Sequence, residues 1–340
     1  MIKTEIKALK ELLNTPKNIV VVPHKNPDGD AMGSTLGLYH YLKTYNHNIT
    51  VIAPNDYPKF LKWLPGNDEV LIFENIQTES IALIENADLI FTLDFNALHR
   101  SGEMGEHLKI ASATKIMIDH HQQPDDYAKY MYSDVSMSST CEMVFNFIEL
   151  LDDSNKIDTK IATCLYTGIM TDTGSFRFQS TTSRTHNVVS QLISKGANNA
   201  EIHNNVLDCN SYSRLQLLGK ALQNLKVIPE LSTAYITLSQ AELDAYNFNK
   251  GDTEGFVNYG LSLNGIVFAA IFIESKHEGL IKISLRSKGE FSVNEFSRAH
   301  FNGGGHTNAA GGRSHEDLKS TVDKFISILP TYKNELSPTH

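Results

Sequence analysis

Residues 18–34 read NIVVVPHKNPDGDAMGS, and the first six of them form a mostly apolar run. Four further runs, rich in Ile and Val with few polar residues, lie at 48–53, 70–73, 88–93 and 115–118. Strands that are buried on both faces have this composition, which is typical of a parallel sheet covered by helices. Helical patterns separate or follow the runs, at about 34–46, 77–86, 139–151 and 158–171. We therefore predict an α/β domain with a doubly wound parallel sheet.

A smaller C-terminal α+β domain is predicted after Pro229. Strand patterns occur there at 234–238, 266–273 and 280–285, and helical patterns near 292–300 and 316–329 stand on either side of a glycine-rich loop. Residues 182–224 look wholly helical. We expect an N-terminal domain over 1–190, a helical linker over 191–228 and the C-terminal domain over 229–340.

The composition narrows the class of protein. At roughly 100–200 residues per domain, a chain of 340 residues suggests two domains. Its net charge of −9 lacks the positive field that coating long duplex DNA requires. Three cysteines are too few and too scattered for a disulfide framework, and no stretch is apolar enough for a secretory signal or a membrane span. We expect a soluble cytoplasmic protein with no membrane partner.

Acidic side chains and histidines stand at the ends of the predicted strands. These residues are His24, Asp28, Asp30, Asp94, Asp119, His120 and His121, and an apolar helix ends at Asp172. In open α/β sheets, ligands collect at the carboxyl ends of the strands, so we expect this set to converge at one edge. A single Asp after a strand is often only a helix cap, and a lone His is often a surface residue. The combination of several acids and histidines at one sheet edge favours a ligand-binding site.

Several carboxylates at one edge repel each other unless a cation neutralises them. Oxygen ligands with a few imidazoles suit Mn²⁺ or Mg²⁺. Two ions about 3.5–4 Å apart, bridged by a shared acid, would hold a hydroxide and clamp a phosphoryl group for in-line displacement.

The motifs resemble those of a known family. Residues 24–34, HKNPDGDAMGS, fit the first motif of the DHH phosphoesterases, and Asp119-His120-His121 is similar to the triplet that names the family. Asp94 and Asp172 fit its second and fourth motifs. Residues 303–312, GGGHTNAAGG, resemble the signature of its associated C-terminal domain. The size and layout are similar to the nanoRNase/pAp-phosphatase (NrnA-like) branch.

The resemblance implies a hydrolase of phosphate esters with two divalent cations, expected as Mn²⁺ with Mg²⁺ as the alternative. One cation would be held by His24, Asp28 and Asp94, and the other by Asp30, Asp94, His120 and Asp172, with Asp94 bridging. His121 would face the substrate and stabilise the phosphoryl oxygens or protonate the leaving oxygen, while Asp119 would orient its neighbours. The substrate phosphate and nucleoside would be gripped by Arg286, Gly304, Gly305 and His306. Arg298 and Arg313 are interpreted as solvated surface bases.

The resemblance also implies the partners: short RNA oligonucleotides, hydrolysed to mononucleotides, and nucleotide bisphosphates such as 3′-phosphoadenosine 5′-phosphate (pAp), converted to AMP and phosphate. Two alternatives stay open. One is a phosphodiesterase of cyclic or linear dinucleotides, and the other is a non-catalytic binder of short RNA. A homodimer is also left open.

Overall fold

The computed structural model of the chain describes residues 3–337. The chain divides into two units between Cys209 and Asn210, and each unit has its own sheet and its own apolar core. The division falls within residues 191–228, whose assignment to a linker stays a prediction. Within the described range, no helix combines the length and apolar character that crossing a membrane requires.

The first unit alternates strands and helices. Its strands are β1 (Asn18–Pro23), β2 (Asn48–Ala53), β3 (Val70–Ile72), β4 (Leu89–Leu93), β5 (Thr114–Asp119) and β6 (Tyr130–Ser133). Its helices are α1 (Lys3–Leu13), α2 (Gly29–Leu42), α3 (Gln77–Glu85), α4 (Met104–Ile110), α5 (Thr140–Leu150), α6 (Thr159–Asp172), α7 (Ser183–Ser194) and α8 (Asn199–Val206). The apolar and helical patterns of the sequence do not predict β6 or α4.

All six strands of the first sheet run parallel, in the order β3-β2-β1-β4-β5-β6. Strand β1 shows how the sheet is covered. Its Val21 packs into the cluster built with α1, α2 and α5–α8, whereas Val20 and Val22 pack on the opposite face with Ile84 of α3 and Leu108 of α4. Helices thus cover both faces, which confirms the predicted doubly wound α/β fold.

Helices α2 and α6 pack antiparallel and unusually close. A Cβ atom on Gly33 of α2 would lie 2.6 Å from the carbonyl oxygen of Cys164 in α6. Such a distance excludes every residue except glycine unless the helices move apart. Because α2 begins where α6 ends, the close packing brings Asp30 of α2 and Asp172 of α6 to the same end of the helix pair.

The second unit has a mixed sheet. Its strands are β7 (Lys226–Ile228), β8 (Thr233–Leu238), β9 (Phe268–Ser275), β10 (Leu280–Ser287), β11 (Gly304–His306) and β12 (Ala309–Ser314). Its helices are α9 (Tyr212–Gln223), α10 (Gln240–Ala245), α11 (Phe256–Leu261), α12 (Val293–His300) and α13 (Leu318–Ile328). Helices α9–α11 cover one face, while α12 and α13 cover the other.

The strand order is β11-β12-β10-β9-β8-β7, and only β8 and β9 are parallel neighbours. The predicted glycine-rich loop is wrong in one respect. Residues Gly304–His306 form the edge strand β11, because Gly304 and Gly305 pair with Gly311 and Ala310 of β12. The α+β class of this unit is as predicted.

Candidate functional site

The candidate site lies at the carboxyl ends of β1, β4 and β5. The chain winds from β1 out to β3 and then crosses to β4 on the other side of β1, so the strand order changes direction between β1 and β4. Open α/β sheets bind ligands in the crevice at this switch point. His24 directly follows β1 and Asp94 directly follows β4, so both stand at the crevice.

Asp28 holds the start of α2 and faces the site at the same time. One carboxylate oxygen, Oδ1, accepts the backbone N–H groups of Asp30 at 3.1 Å and Ala31 at 3.0 Å, as an N-cap residue does. The other oxygen, Oδ2, lies 3.9 Å from Nε2 of His24. The cap and ligand interpretations of this residue are therefore compatible.

Asp94 lies between two groups of side chains. Its Oδ2 is 3.5 Å from Nε2 of His24, and its Oδ1 is 3.6 Å from Nε2 of His120. Its backbone φ of +65° is a left-handed conformation, which is uncommon for a residue other than glycine and costs about 1–3 kcal/mol. Contacts with the surrounding structure offset this cost. In this conformation the two carboxylate oxygens face different histidines.

Asp30, His120 and Asp172 form the second group. Nε2 of His120 lies 3.7 Å from Oδ2 of Asp30 and 3.4 Å from Oδ2 of Asp172. These residues come from the first turn of α2, the end of β5 and the last residue of α6. The structure thus brings together all six side chains that the sequence proposed as metal ligands, in two groups that meet at Asp94.

The donor atoms suit a cation. Nδ1 of His24 donates to the carbonyl of Lys25 at 2.8 Å, and Nδ1 of His120 donates to the carbonyl of Met137 at 3.2 Å. With the ring neutral, each Nε2 then directs a lone pair at carboxylate oxygens 3.4 to 3.9 Å away, too far for a good hydrogen bond. Lone pairs facing negative oxygens are repulsive unless a cation lies between them. Carboxylates and imidazoles therefore fit a divalent metal here.

The raised pKa values of two carboxyl groups also favour a cation at this site. Burial raises the pKa of the Asp30 carboxyl to about 7, and the nearby charge of Asp172 adds to this effect. Burial also holds the pKa of Asp94 well above its usual value, with Asp30 and Asp28 acting in the same direction. A divalent cation would relieve this repulsion and favour the ionised carboxylates.

His121 forms a pair with Asp119. Nδ1 of His121 donates to Oδ1 of Asp119 at 2.7 Å, and both side chains are buried. This bond fixes the tautomer, so the neutral ring carries its lone pair on Nε2. Burial lowers the pKa of His121 well below its usual value, and the positive charge of Arg100 adds to this effect.

Two residues beside the site were missed from the sequence. Arg100 lies in a short 3₁₀ helix after β4. Burial is the main cause of the lowered pKa of His24 and of His121, and the positive charge of Arg100 lowers both further. Thr140, the first residue of α5, donates its hydroxyl to Oδ1 of Asp94 at 2.9 Å. Nothing in the sequence around Thr140 indicates a place beside the site. The position of Arg100, six residues after Asp94, could have indicated one.

The residues proposed to grip the substrate lie in the second unit. Arg286 of β10 pairs with Ala309 of β12, and Ala309 pairs with His306 of β11. Residues directly opposite in antiparallel strands share a face, so Arg286 and His306 flank a small alanine on one face of the sheet. The structure thus places an arginine and a histidine about two strand spacings apart, roughly 10 Å.

The glycines of β11 have different requirements. A Cβ on Gly305 would lie 2.4 Å from the carbonyl oxygen of Ala309, and its φ is +153°. Gly304 is open by comparison, because its nearest neighbour would be Oδ1 of Asn294 at 3.5 Å. The same Asn294 oxygen accepts the Gly305 N–H at 3.0 Å and Nε of Arg298 at 3.2 Å, so Arg298 lies beside the glycine strand.

Comparisons with known proteins identify the family of the chain. Residues 18–169 match the DHH family, N-terminal domain, and residues 233–332 match the DHHA1 domain. A Thermus thermophilus protein named bifunctional oligoribonuclease and PAP phosphatase NrnA is 30% identical to this chain, over 86% of this chain and 83% of that protein. The chain belongs to the DHH family.

Two other comparisons give further proteins to which the chain is similar. A crystal structure of an exopolyphosphatase-related protein from Bacteroides fragilis shares 40% identity with a TM-score of 0.93, and the match covers 98% of each chain. A Bacillus subtilis protein named cyclic-di-AMP phosphodiesterase GdpP is 29% identical over 96% of this DHH chain, but over only 49% of its own length.

Proposed function

We propose that this DHH protein is a metal-dependent phosphoesterase that hydrolyses short oligoribonucleotides to mononucleotides and converts pAp to AMP and phosphate. The observation that carries the proposal is the position of Asp94, whose two carboxylate oxygens face two separate groups of His and Asp side chains. The name of the Thermus thermophilus relative supports both substrates.

In this proposal, His24, Asp28 and Asp94 hold one divalent cation, and Asp30, Asp94, His120 and Asp172 hold the other. Mn²⁺ is the proposed metal, with Mg²⁺ as the alternative, because the ligand set mixes carboxylates with two imidazoles. Two such cations, when bound, lower the pKa of a water and neutralise the phosphoryl oxygens of the substrate.

His121 is proposed to act on the phosphoryl group. Its hydrogen bond to Asp119 orients the ring, so Asp119 is a positioning residue and His121 is the group that contacts the substrate. A phosphate dianion near His121 and Arg100 would favour the protonated ring, which can then donate a hydrogen bond or a proton to the leaving oxygen.

Arg286, Gly304, Gly305 and His306 are proposed to bind the terminal phosphate and nucleoside. Arginine matches the geometry of a phosphate with two parallel N–H groups, and an open Gly304 lets a ligand approach the backbone closely. Arg298 joins the proposed set, because its guanidinium atoms lie 3.6 and 3.8 Å from the position of a Cβ on Gly304.

The similarity to GdpP favours one second candidate, a phosphodiesterase of cyclic or linear dinucleotides.

We place the protein in the cytoplasm, because its three cysteines are free thiols and two of them, Cys141 and Cys164, are buried.

A substrate panel tests the proposed function. The purified protein is incubated with Mn²⁺ and a dinucleotide, a trinucleotide, pAp, a cyclic dinucleotide or pyrophosphate, and the products are separated by chromatography. We expect mononucleotides from the oligonucleotides and AMP from pAp. Turnover of cyclic dinucleotides alone would support the second candidate. Binding without turnover across the whole panel would indicate a non-catalytic binder.

A further inference from the structure

The segment Met137–Cys141, which runs from the loop after β6 into the first turn of α5, contacts three of the proposed metal ligands. Its Met137 carbonyl accepts Nδ1 of His120, its backbone N–H groups bind Asp30, and its Thr140 hydroxyl binds Asp94. The three ligands come from three different elements: the end of β5, the first turn of α2 and the residue after β4. One short segment therefore connects the two groups of the candidate site.

The backbone of this segment holds Asp30 through both carboxylate oxygens. The Thr140 N–H donates to Oδ2 at 2.6 Å, and the Cys141 N–H donates to Oδ1 at 2.9 Å. These are the first N–H groups of α5, where the helix dipole favours negative charge. Ser139 caps the same helix with its hydroxyl, which accepts the Glu142 N–H at 3.0 Å. The start of α5 is thus capped and directed at Asp30.

The Thr140 side chain extends the same support to Asp94. Its hydroxyl donates to Oδ1 of Asp94 at 2.9 Å, and the side chain is fully buried. The same oxygen lies 3.6 Å from Nε2 of His120 and 3.6 Å from Nδ1 of His121. A carboxylate oxygen has two lone pairs, so the hydroxyl occupies one of them and leaves the other for a cation.

A threonine suits this position because its side chain is stiff. Two heavy atoms on Cβ restrict the χ1 angle, and the helical backbone of α5 fixes the Cβ itself. Few rotamers are therefore open to the hydroxyl, and the one observed donates to Asp94. Without it, the terminal torsion of Asp94, which is soft in aspartate, is held by fewer contacts.

We propose that Thr140 is a positioning residue for the bridging carboxylate, setting the rotation at which Asp94 offers one oxygen to each cation. This inference rests on the proposed function, since it assigns a partner to the proposed bridge. In this role Thr140 acts through Asp94, to which its hydroxyl donates.

The test compares two substitutions at one position. Thr140→Val keeps the shape and the backbone N–H but removes the hydroxyl, whereas Thr140→Ser keeps the hydroxyl. Thr167→Val is the matched control, because Thr167 is equally buried and its hydroxyl donates only to the Thr163 carbonyl of its own helix, at 2.8 Å. Mn²⁺ affinity is measured from the electron paramagnetic resonance signal of free Mn²⁺, and thermal unfolding is measured in EDTA.

We expect Thr140→Val to weaken Mn²⁺ binding by about 10–100-fold. Thr140→Ser, which keeps the hydroxyl on a less restricted side chain, should lose much less, and Thr167→Val should stay close to wild type. Unfolding in EDTA should change no more in Thr140→Val than in Thr167→Val. Wild-type Mn²⁺ affinity in Thr140→Val would overturn the inference, as would a loss in Thr140→Ser as large as that in Thr140→Val. Should the valine variant fail to fold, Thr140→Ala replaces it under the same criteria.

Wild-type protein and Asp94→Asn separate this inference from the proposed function. If wild-type protein binds no Mn²⁺, the two-cation proposal fails, and the inference fails with it. If wild-type protein binds Mn²⁺, Asp94→Asn loses it and Thr140→Val keeps it, then only the role of Thr140 is contradicted.

Discussion

The proposed metal site of the first unit and the proposed substrate grip of the second are held in different ways. In the first unit, His24, Asp30, Asp94 and His120 are buried, and each stands at the end of a strand or at the start of a helix. In the second unit, the proposed residues are half-buried or, in the case of Arg298, exposed, and three of them form an edge strand of three residues. The first site is therefore more enclosed than the second, although its Asp28 is exposed and its Asp172 is half-buried.

This difference matches the chemistry proposed for each site. Cations held about 3.5–4 Å apart tolerate little error in ligand position, so a rigid and buried framework is required. A surface that accepts oligonucleotides of different lengths needs charge and a closely approachable backbone more than a fixed cavity. We therefore expect substitutions in the first unit to abolish turnover, and substitutions in the second to weaken substrate binding.

The largest effect is expected for Asp94→Asn. The amide has one carbonyl oxygen instead of two carboxylate oxygens and carries no charge, so it cannot serve both groups. We expect kcat/KM for pAp and for a dinucleotide to fall by roughly three orders of magnitude or more. Asp208→Asn, an exposed acid in the same unit, is the control and should keep its activity. Retention of most activity in Asp94→Asn would remove the contrast between the two sites.

Arg286→Ala should produce a smaller effect of a different kind. Losing a charge-assisted contact to phosphate should raise KM by about 10–100-fold and change kcat much less. Arg313→Ala is the matched control, since Arg313 lies in the same sheet on β12 but outside the proposed grip. Steady-state kinetics with pAp measure both constants. A fall in kcat with KM unchanged would give Arg286 a catalytic role and would contradict the assignment to binding.

The glycine strand allows structure and binding to be separated. Gly304→Ala meets only ordinary contacts, so we expect wild-type thermal stability and a several-fold higher KM if the ligand approaches this backbone. Gly305→Ala should lower the melting temperature, because the new Cβ meets the Ala309 carbonyl oxygen and the φ of +153° disfavours alanine. Calorimetry and kinetics on both variants check this. An unchanged KM in Gly304→Ala would exclude close backbone contact at that residue.

The last prediction concerns how the stability of the protein in EDTA depends on pH, and it leaves turnover aside. The pKa of Asp30 in the folded state, about 7, lies above its usual value, so the folded protein binds a proton that the unfolded chain releases. Its contribution to the free energy of unfolding therefore declines as pH rises towards 7, by up to about 1.4 kcal/mol per unit. In urea titrations with EDTA, the free energy of unfolding of Asp30→Asn should fall less steeply with rising pH than that of wild type. Equal slopes would contradict the raised pKa.

The sequence predicted the architecture well because the deciding signals are local. Apolar runs identified β1 and β2 with their observed bounds, and the rule that parallel strands end at one edge predicted that His24, Asp94 and His120 would converge. The start of α2 was placed too late, at 34 instead of Gly29. Glycines usually weaken a helix, and nothing local indicates that those of α2 are needed for packing against α6.

The features that the sequence did not predict depend on contacts between distant residues. Thr140 lies 46 positions from Asp94 and 110 from Asp30, so no periodicity or motif connects them. The edge strand at Gly304–His306 likewise forms only because residues of β12 pair with it. A glycine run carries no strand signal of its own, since a glycine inside a strand has no side chain to pack.

The most direct test of the account is anomalous diffraction at the manganese edge from crystals grown with Mn²⁺. Two peaks about 3.5–4 Å apart, one within bonding distance of each oxygen of Asp94, are the predicted result. A single peak, or manganese bound away from Asp94, would contradict the proposal that this carboxylate joins two cations.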